Sequence, residues 1–95
     1  MMTREQTVEQ LKQKLDKWNA DLDRLEARAD QFSDERRKEL ETTVDELKQK
    51  REEARSAVER LRSASGDAVE DMRRGAEKAW EKMADSLDSA RKRFH

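Results

Sequence analysis

The chain contains no cysteine, no proline and no tyrosine, and it has only two glycines, two tryptophans and two phenylalanines. Without cysteine it forms neither disulfide bonds nor thiolate metal sites. Without proline, and with so little glycine, it has few residues that interrupt a helix. Only 33% of the residues are hydrophobic, which is too few for a core of several layers. These absences favour long helices packed along a narrow seam.

Charge is abundant but balanced. The chain has 22 Lys and Arg residues against 23 Asp and Glu residues, and its net charge is −1. This balance argues against a general binder of nucleic acid or of anionic membranes. No stretch approaches the length of a transmembrane helix. The first residues, Met1–Glu5, lack the apolar segment of a secretory signal, so we expect a cytoplasmic protein.

Apolar residues recur at alternating spacings of four and three, which is the period of helices that pack along their length. We call the first run the seam, and we predict that it is a protein-interaction surface. The seam consists of Val8, Leu11, Leu15, Trp18, Leu22, Leu25 and Phe32, with Ala29 between the last two. A second run is Leu40, Val44, Leu47, Arg51, Ala54, Val58 and Leu61. A third run is Val69, Met72, Ala76, Trp80, Met83, Leu87, Ala90 and Phe94, with Ala79 beside Trp80.

The signals for helix ends are few. Thr3 and Gln6 have the spacing of a capping box, which predicts a helix start at Thr3. Gly66 can adopt the left-handed conformation that ends a helix. The segment Asp67–Glu70 then offers a second capping pattern. We therefore predict an all-α fold in one domain, 1–95, with a helix over about 3–62, a turn at 63–66 and a helix over about 67–94.

A second architecture remains open at the junction between the first two runs. The gap of eight from Phe32 to Leu40 is a stutter if the helix is continuous. However, Ser33 followed by Asp34 and Glu35 is a good helix start. An extra turn near 33 would give a three-helix bundle instead of a long antiparallel hairpin. We favour the hairpin, because no Gly, Asn or Pro at 30–34 eases a reversal.

Trp18 distinguishes the two architectures. In the hairpin, the second helix is too short to reach the seam, so a second chain must cover it. In the three-helix bundle, Trp18, Leu47 and Trp80 fall in one layer and no second chain is needed.

The sequence shows no catalytic, cofactor or metal motif. The only histidine, His95, is the last residue of the sequence, so no triad with a histidine base is expected. Acidic pairs such as Asp21/Asp23 and Glu52/Glu53 lie along a helix rather than in a ligating loop. We expect no enzyme activity, no cofactor, no metal site and no small-molecule substrate.

Three segments, "LDKWNADLDRLEARAD", "LKQKREEAR" and "GDAVEDMRRGAEKAWEKM", together resemble a group of small bacterial proteins named only for their coiled coils. The resemblance extends over nearly the whole chain. It implies a helix that is uninterrupted from Phe32 to Leu40, and it implies no activity and no functional residues. The charge-rich repeats are also similar to those of exchangeable apolipoproteins and late-embryogenesis proteins.

Two functions follow as expectations. The first is a non-enzymatic coiled-coil scaffold that binds itself or another helical protein through the seam. The second is a stress-related amphipathic protein that reversibly coats lipid surfaces or unstable proteins, because the last helix is amphipathic.

Overall fold

The computed structural model describes residues 3–95 and shows an all-α protein. Its helices are α1 (Arg4–Ala27), α2 (Asp34–Ser63) and α3 (Ala68–Arg93), and a short 3-10 turn (Arg28–Gln31) follows α1. The all-α prediction is confirmed. The predicted domain 1–95 also includes Met1 and Met2, which lie outside the described residues.

The chain turns twice, so the continuous helix expected over about 3–62 does not form. Of the two architectures, the structure has the three-helix bundle, with α1 and α3 parallel to each other and α2 antiparallel to both. Arg4 contacts the carbonyl of Ala64 at one end, while Arg28 Nη1 lies 3.2 Å from the carbonyl of Phe94 at the other. The bundle measures 52 × 17 × 17 Å.

The turn at 28–33 reverses the chain without any left-handed residue. Phe32 (φ −107°, ψ 156°) and Ser33 (φ −61°, ψ 165°) are both extended, and these two residues redirect the chain after the 3-10 turn. The Ser33 hydroxyl accepts a hydrogen bond from the Arg36 backbone N–H at 3.3 Å, which caps α2. The absence of glycine therefore did not exclude a reversal here, contrary to the expectation from the sequence.

The Arg37 guanidinium stabilises this turn from α2. Its Nε donates to the carbonyl of Ala29 at 3.1 Å, and its Nη2 donates to that of Phe32 at 3.5 Å. The Ala29 carbonyl also accepts the backbone N–H of Phe32 at 3.2 Å, so the Arg37 side chain adds a second donor at this point of the turn. These contacts, which link residues across the turn, favour the reversal over a continuous helix.

The other helix ends match the sequence in part. Thr3 and Gln6 form the predicted capping box. The Thr3 backbone N–H donates to Gln6 Oε1 at 2.9 Å, and the Gln6 backbone N–H donates to Thr3 Oγ1 at 3.2 Å. Gly66 has φ +59°, the predicted left-handed conformation, but it lies in the turn after the extended C-cap residue Ala64 rather than directly ending α2. Asp67 makes no side-chain capping bond, so the capping pattern predicted at 67–70 is wrong.

One hydrophobic core extends along the bundle axis, and all three apolar runs contribute to it. Its most deeply buried large side chains are Leu22, Leu40, Leu47, Leu61, Met83, Leu87 and Phe94. Among residues 3–95, no helix combines the length and the apolar character that a membrane-spanning segment requires.

Candidate functional site

The structure places the predicted interaction seam inside the bundle. Six of its residues are at most 8% exposed: Val8, Leu11, Leu15, Trp18, Leu22 and Leu25. Phe32, at the turn, is half-buried and packs against the same core. The seam therefore binds the chain's own α2 and α3. The second chain that the hairpin required is not needed to cover it.

Trp18 packs against Trp80 of α3. Their ring centroids are 3.6 Å apart and their planes are inclined by 20°, so the two indoles are stacked. Trp18 is 7% exposed, whereas Trp80 lies half-buried at the edge of the core. Lys14 Nζ lies 4.8 Å from the Trp80 ring centroid, on the α1 side. The stack joins the first and third helices, which makes it a sensitive indicator of whether α1 is docked.

Leu47, which was expected in one layer with Trp18 and Trp80, does not lie at their level. Arg51 Nη1 donates to Asn19 Oδ1 at 2.8 Å, so Arg51 lies at the level of Trp18. Lys48 Nζ lies 2.6 Å from Glu26 Oε1, which places Leu47 about two turns further along α1. The layer was misplaced because the Phe32–Ser33 reversal shifts the register between α1 and α2.

A polar groove runs between α1 and α2 beside Arg51. Its volume is about 640 Å³, and three basic and three acidic side chains line it. Arg51 also contacts Glu52 Oε1 at 3.5 Å, and its side chain is 27% exposed. The groove therefore presents mixed charge of no dominant sign. It is lined by Lys12, Leu15, Asp16, Asn19, Asp23, Arg51, Arg55, Val58 and Glu59.

A cluster of aromatic and basic side chains closes the end of the bundle near the turn. Phe32 meets Phe94 edge to face, with centroids 5.9 Å apart. The Arg36 guanidinium lies 4.7 Å from the Phe94 ring centroid and also contacts the carbonyl of Arg93. Glu39 pairs with Arg36 at 3.1 Å and with Arg93 at 3.5 Å. The cluster joins the turn to the C-terminus of α3.

Apolar residues of α3 extend beyond the face that is buried in the core. Met72 and Ala79 are half-buried beside exposed Gly75, and together with Ala57 of α2 they line a shallow groove of about 460 Å³. The apolar runs of the sequence do not by themselves predict this groove. The relevant signal was the extra spacing of four between Ala76 and Trp80, which spreads apolar residues around the helix.

Three ionisable groups have shifted pKa values. A hydrogen bond from the Arg73 guanidinium holds the pKa of Glu70 below its ordinary value, and the same bond raises the pKa of Arg73. The pKa of Glu5 is lowered first by hydrogen bonding to its own backbone N–H and then by Arg4. Both acids lie in the first turn of a helix, where negative charge is favourable.

Within residues 3–95, no three His, Asp or Glu side chains converge in a way that could hold a metal ion. A scan against protein-family models, a search of curated proteins and a search of solved structures each found no significant match to this chain.

Proposed function

We propose that the protein is a non-enzymatic coiled-coil scaffold that associates with itself or with another helical protein through the seam. The carrying observation is that the seam residues from Val8 to Leu25 form one continuous apolar face on α1, and that this face already packs in the core with two other helices. A face that is complementary to two helices in its own chain is complementary to the same helices in a second copy.

Apolar contact supplies most of the binding energy of such an interface, and polar contacts fix its register. Along α1 the register is set by Asn19 with Arg51 and by Glu26 with Lys48. Seam residues of this type pack as knobs into the spaces of the facing helices. The scaffold is therefore selective for helices that present both the apolar stripe and these polar partners.

Sedimentation equilibrium over a hundredfold range of concentration tests self-association. We expect the apparent mass to rise above the 11.2 kDa of one chain as concentration increases. Lys17→Ala should leave this dependence unchanged, because Lys17 occupies an exposed position of α1. A mass of one chain at every concentration would contradict self-association.

A second candidate is the reversible coating of lipid surfaces. It is favoured by the half-buried apolar residues of α3, namely Val69, Met72, Ala79, Trp80 and Ala84. A helix with a broad apolar face can lie in the plane of a membrane interface. However, the acids on the polar side of α3, such as Glu77 and Glu81, oppose binding to anionic lipid. The scaffold is therefore our first proposal.

A further inference from the structure

We propose that the turn at 28–33 is a hinge, and that α1 exchanges between two copies of this chain, docking on the partner's α2 and α3 in place of its own. This inference rests on the self-association proposed above, and it names the partner and the mode of binding. It follows from the backbone of the hinge, from the apolar pattern that crosses it, and from the register of the contacts that α1 makes.

Every residue of the hinge could also adopt the backbone conformation of an α-helix. Arg28 has αR dihedral angles, and the 3-10 turn that it begins is close to α-helical geometry. Only Phe32 and Ser33 are extended, with negative φ, so rotation mainly about ψ converts both to helix. Positive φ within residues 3–95 is confined to Gly66, in the other turn. The chain thus has one turn that requires glycine and one that can straighten.

The three- and four-residue spacing of the apolar runs continues across the hinge, with the charged Arg36 at one of its positions. Ala29, Phe32, Arg36 and Leu40 follow one another at helical spacings of three and four. In a straightened helix they lie on one face, and the two spacings of four only unwind the coil locally. α1 and α2 would then form a single helix about 90 Å long.

The register of the bundle is compatible with a symmetric exchange. Asn19 pairs with Arg51 and Glu26 with Lys48, and the midpoints of these pairs fall at 35 and 37. In an antiparallel dimer of straightened chains, the same pairs form between copies if the two-fold axis passes near these positions. They lie immediately after the hinge, so both copies of α1 reach the partner's α2 without a change of register.

Exchange preserves the contacts that hold α1 in the monomer. The stack of Trp18 on Trp80 and the contact of Arg4 with the carbonyl of Ala64 would each form between chains. Because the two states share these contacts, their balance depends on the hinge and on protein concentration. The hydrogen bonds that α2 donates to the hinge, from the Arg36 backbone N–H to Ser33 and from the Arg37 guanidinium to the carbonyls of Ala29 and Phe32, favour the closed monomer.

Two substitutions at the hinge test the exchange in opposite directions. Ser33→Ala removes the cap that α2 needs only when it starts at Asp34. One dimer forms from two closed monomers, and the substitution destabilises the turn in each of them. We therefore expect the dissociation constant of the dimer to fall by about 30-fold. Asp34→Pro occupies the first position of α2, where proline is favoured, and Ser33 before it is already extended, as a residue preceding proline should be. It therefore suits the closed bundle and interrupts a continuous helix.

The experiment refolds the full chain and both variants from denaturant at low and high concentration. Size-exclusion chromatography with light scattering then gives the mass, small-angle scattering the length and circular dichroism the helix content. We expect the wild-type dimer to increase with refolding concentration and to be about 90 Å long or more. Ser33→Ala should increase the dimer fraction. Asp34→Pro should remain monomeric with unchanged helix content and the bundle length of 52 Å.

Two results would overturn the exchange. If Asp34→Pro dimerises as strongly as the wild type, closed bundles associate through an outer surface; self-association then stands, but the exchange and binding through the seam both fail. If neither the wild type nor Ser33→Ala forms a dimer at any concentration, the exchange and the proposed self-association both fail.

Discussion

The indole of Trp18 holds α1 against α3. It is 7% exposed and stacks on Trp80 at 3.6 Å. Replacing a buried aromatic side chain with alanine removes its transfer free energy and leaves a cavity. The stack adds a further contribution beyond the buried area.

We expect Trp18→Ala to lower the free energy of unfolding by about 3–5 kcal/mol. Urea denaturation at a concentration where the chain is monomeric measures this value. Lys17→Ala, at the exposed neighbouring position, should change it by less than about 0.5 kcal/mol. Equal effects of the two substitutions would contradict the buried position of Trp18.

Glu70 gives a prediction about pH. Its pKa lies below the ordinary value of 4.5, chiefly because Arg73 donates a hydrogen bond to its carboxylate. A lowered pKa in the folded state stabilises the protein above the ordinary pKa, and this stabilisation is lost as pH falls through the lowered value. We expect the melting temperature of Glu70→Gln to be below that of the wild type at pH 7 and equal to it in strong acid.

Thermal melts between pH 7 and pH 2 measure this convergence. Glu81→Gln, at an exposed position of the same helix, is the matched control and should stay close to the wild type throughout. If the melting temperature of Glu70→Gln stayed equally far below that of the wild type in acid, the charge of the Glu70 carboxylate would not contribute to stability.

At the scale of the elements, the two glycines have opposite roles. Gly66 has φ +59°, a conformation in which a side chain is strained even though the space around it is open. Gly75 lies within α3, and a Cβ atom added there meets nothing within 4 Å. Only the first glycine is required by the fold.

We therefore expect Gly66→Ala to lower the free energy of unfolding by about 1 kcal/mol and Gly75→Ala to raise it by a similar amount. The two variants carry the same chemical change, so each is the control for the other in one urea-denaturation series. If both substitutions changed the free energy of unfolding in the same direction, either the left-handed conformation of Gly66 or the open helical position of Gly75 would be contradicted.

At the scale of the whole molecule, the three helices share one hydrophobic core. A chain that coats membranes gains helix when it binds them, whereas a scaffold is already helical in buffer. We expect the far-ultraviolet circular dichroism of the wild type to be unchanged by vesicles of anionic lipid at low ionic strength. A lipid-dependent change together with co-sedimentation of protein and vesicles would favour the coating function instead.

The sequence by itself determined the helical class, the capping box at Thr3, the left-handed Gly66 and the residues of the seam. Each depends on short-range chemistry: heptad spacing predicts which side chains share a face, and a positive φ is easiest for glycine. The heptad runs also predicted that Trp18 would be buried within its own chain if the chain formed a three-helix bundle.

Only the tertiary structure decided that the chain turns at Phe32 and Ser33. Residues 28–33 contain no proline or glycine, so local sequence permits both a helix and a reversal there. The reversal is favoured locally by the bonds from Arg37 to the carbonyls of Ala29 and Phe32. It is also favoured by long-range contacts, namely Phe32 with Phe94 and Trp18 with Trp80. Such contacts form only when distant segments meet, and no local pattern encodes their combined free energy.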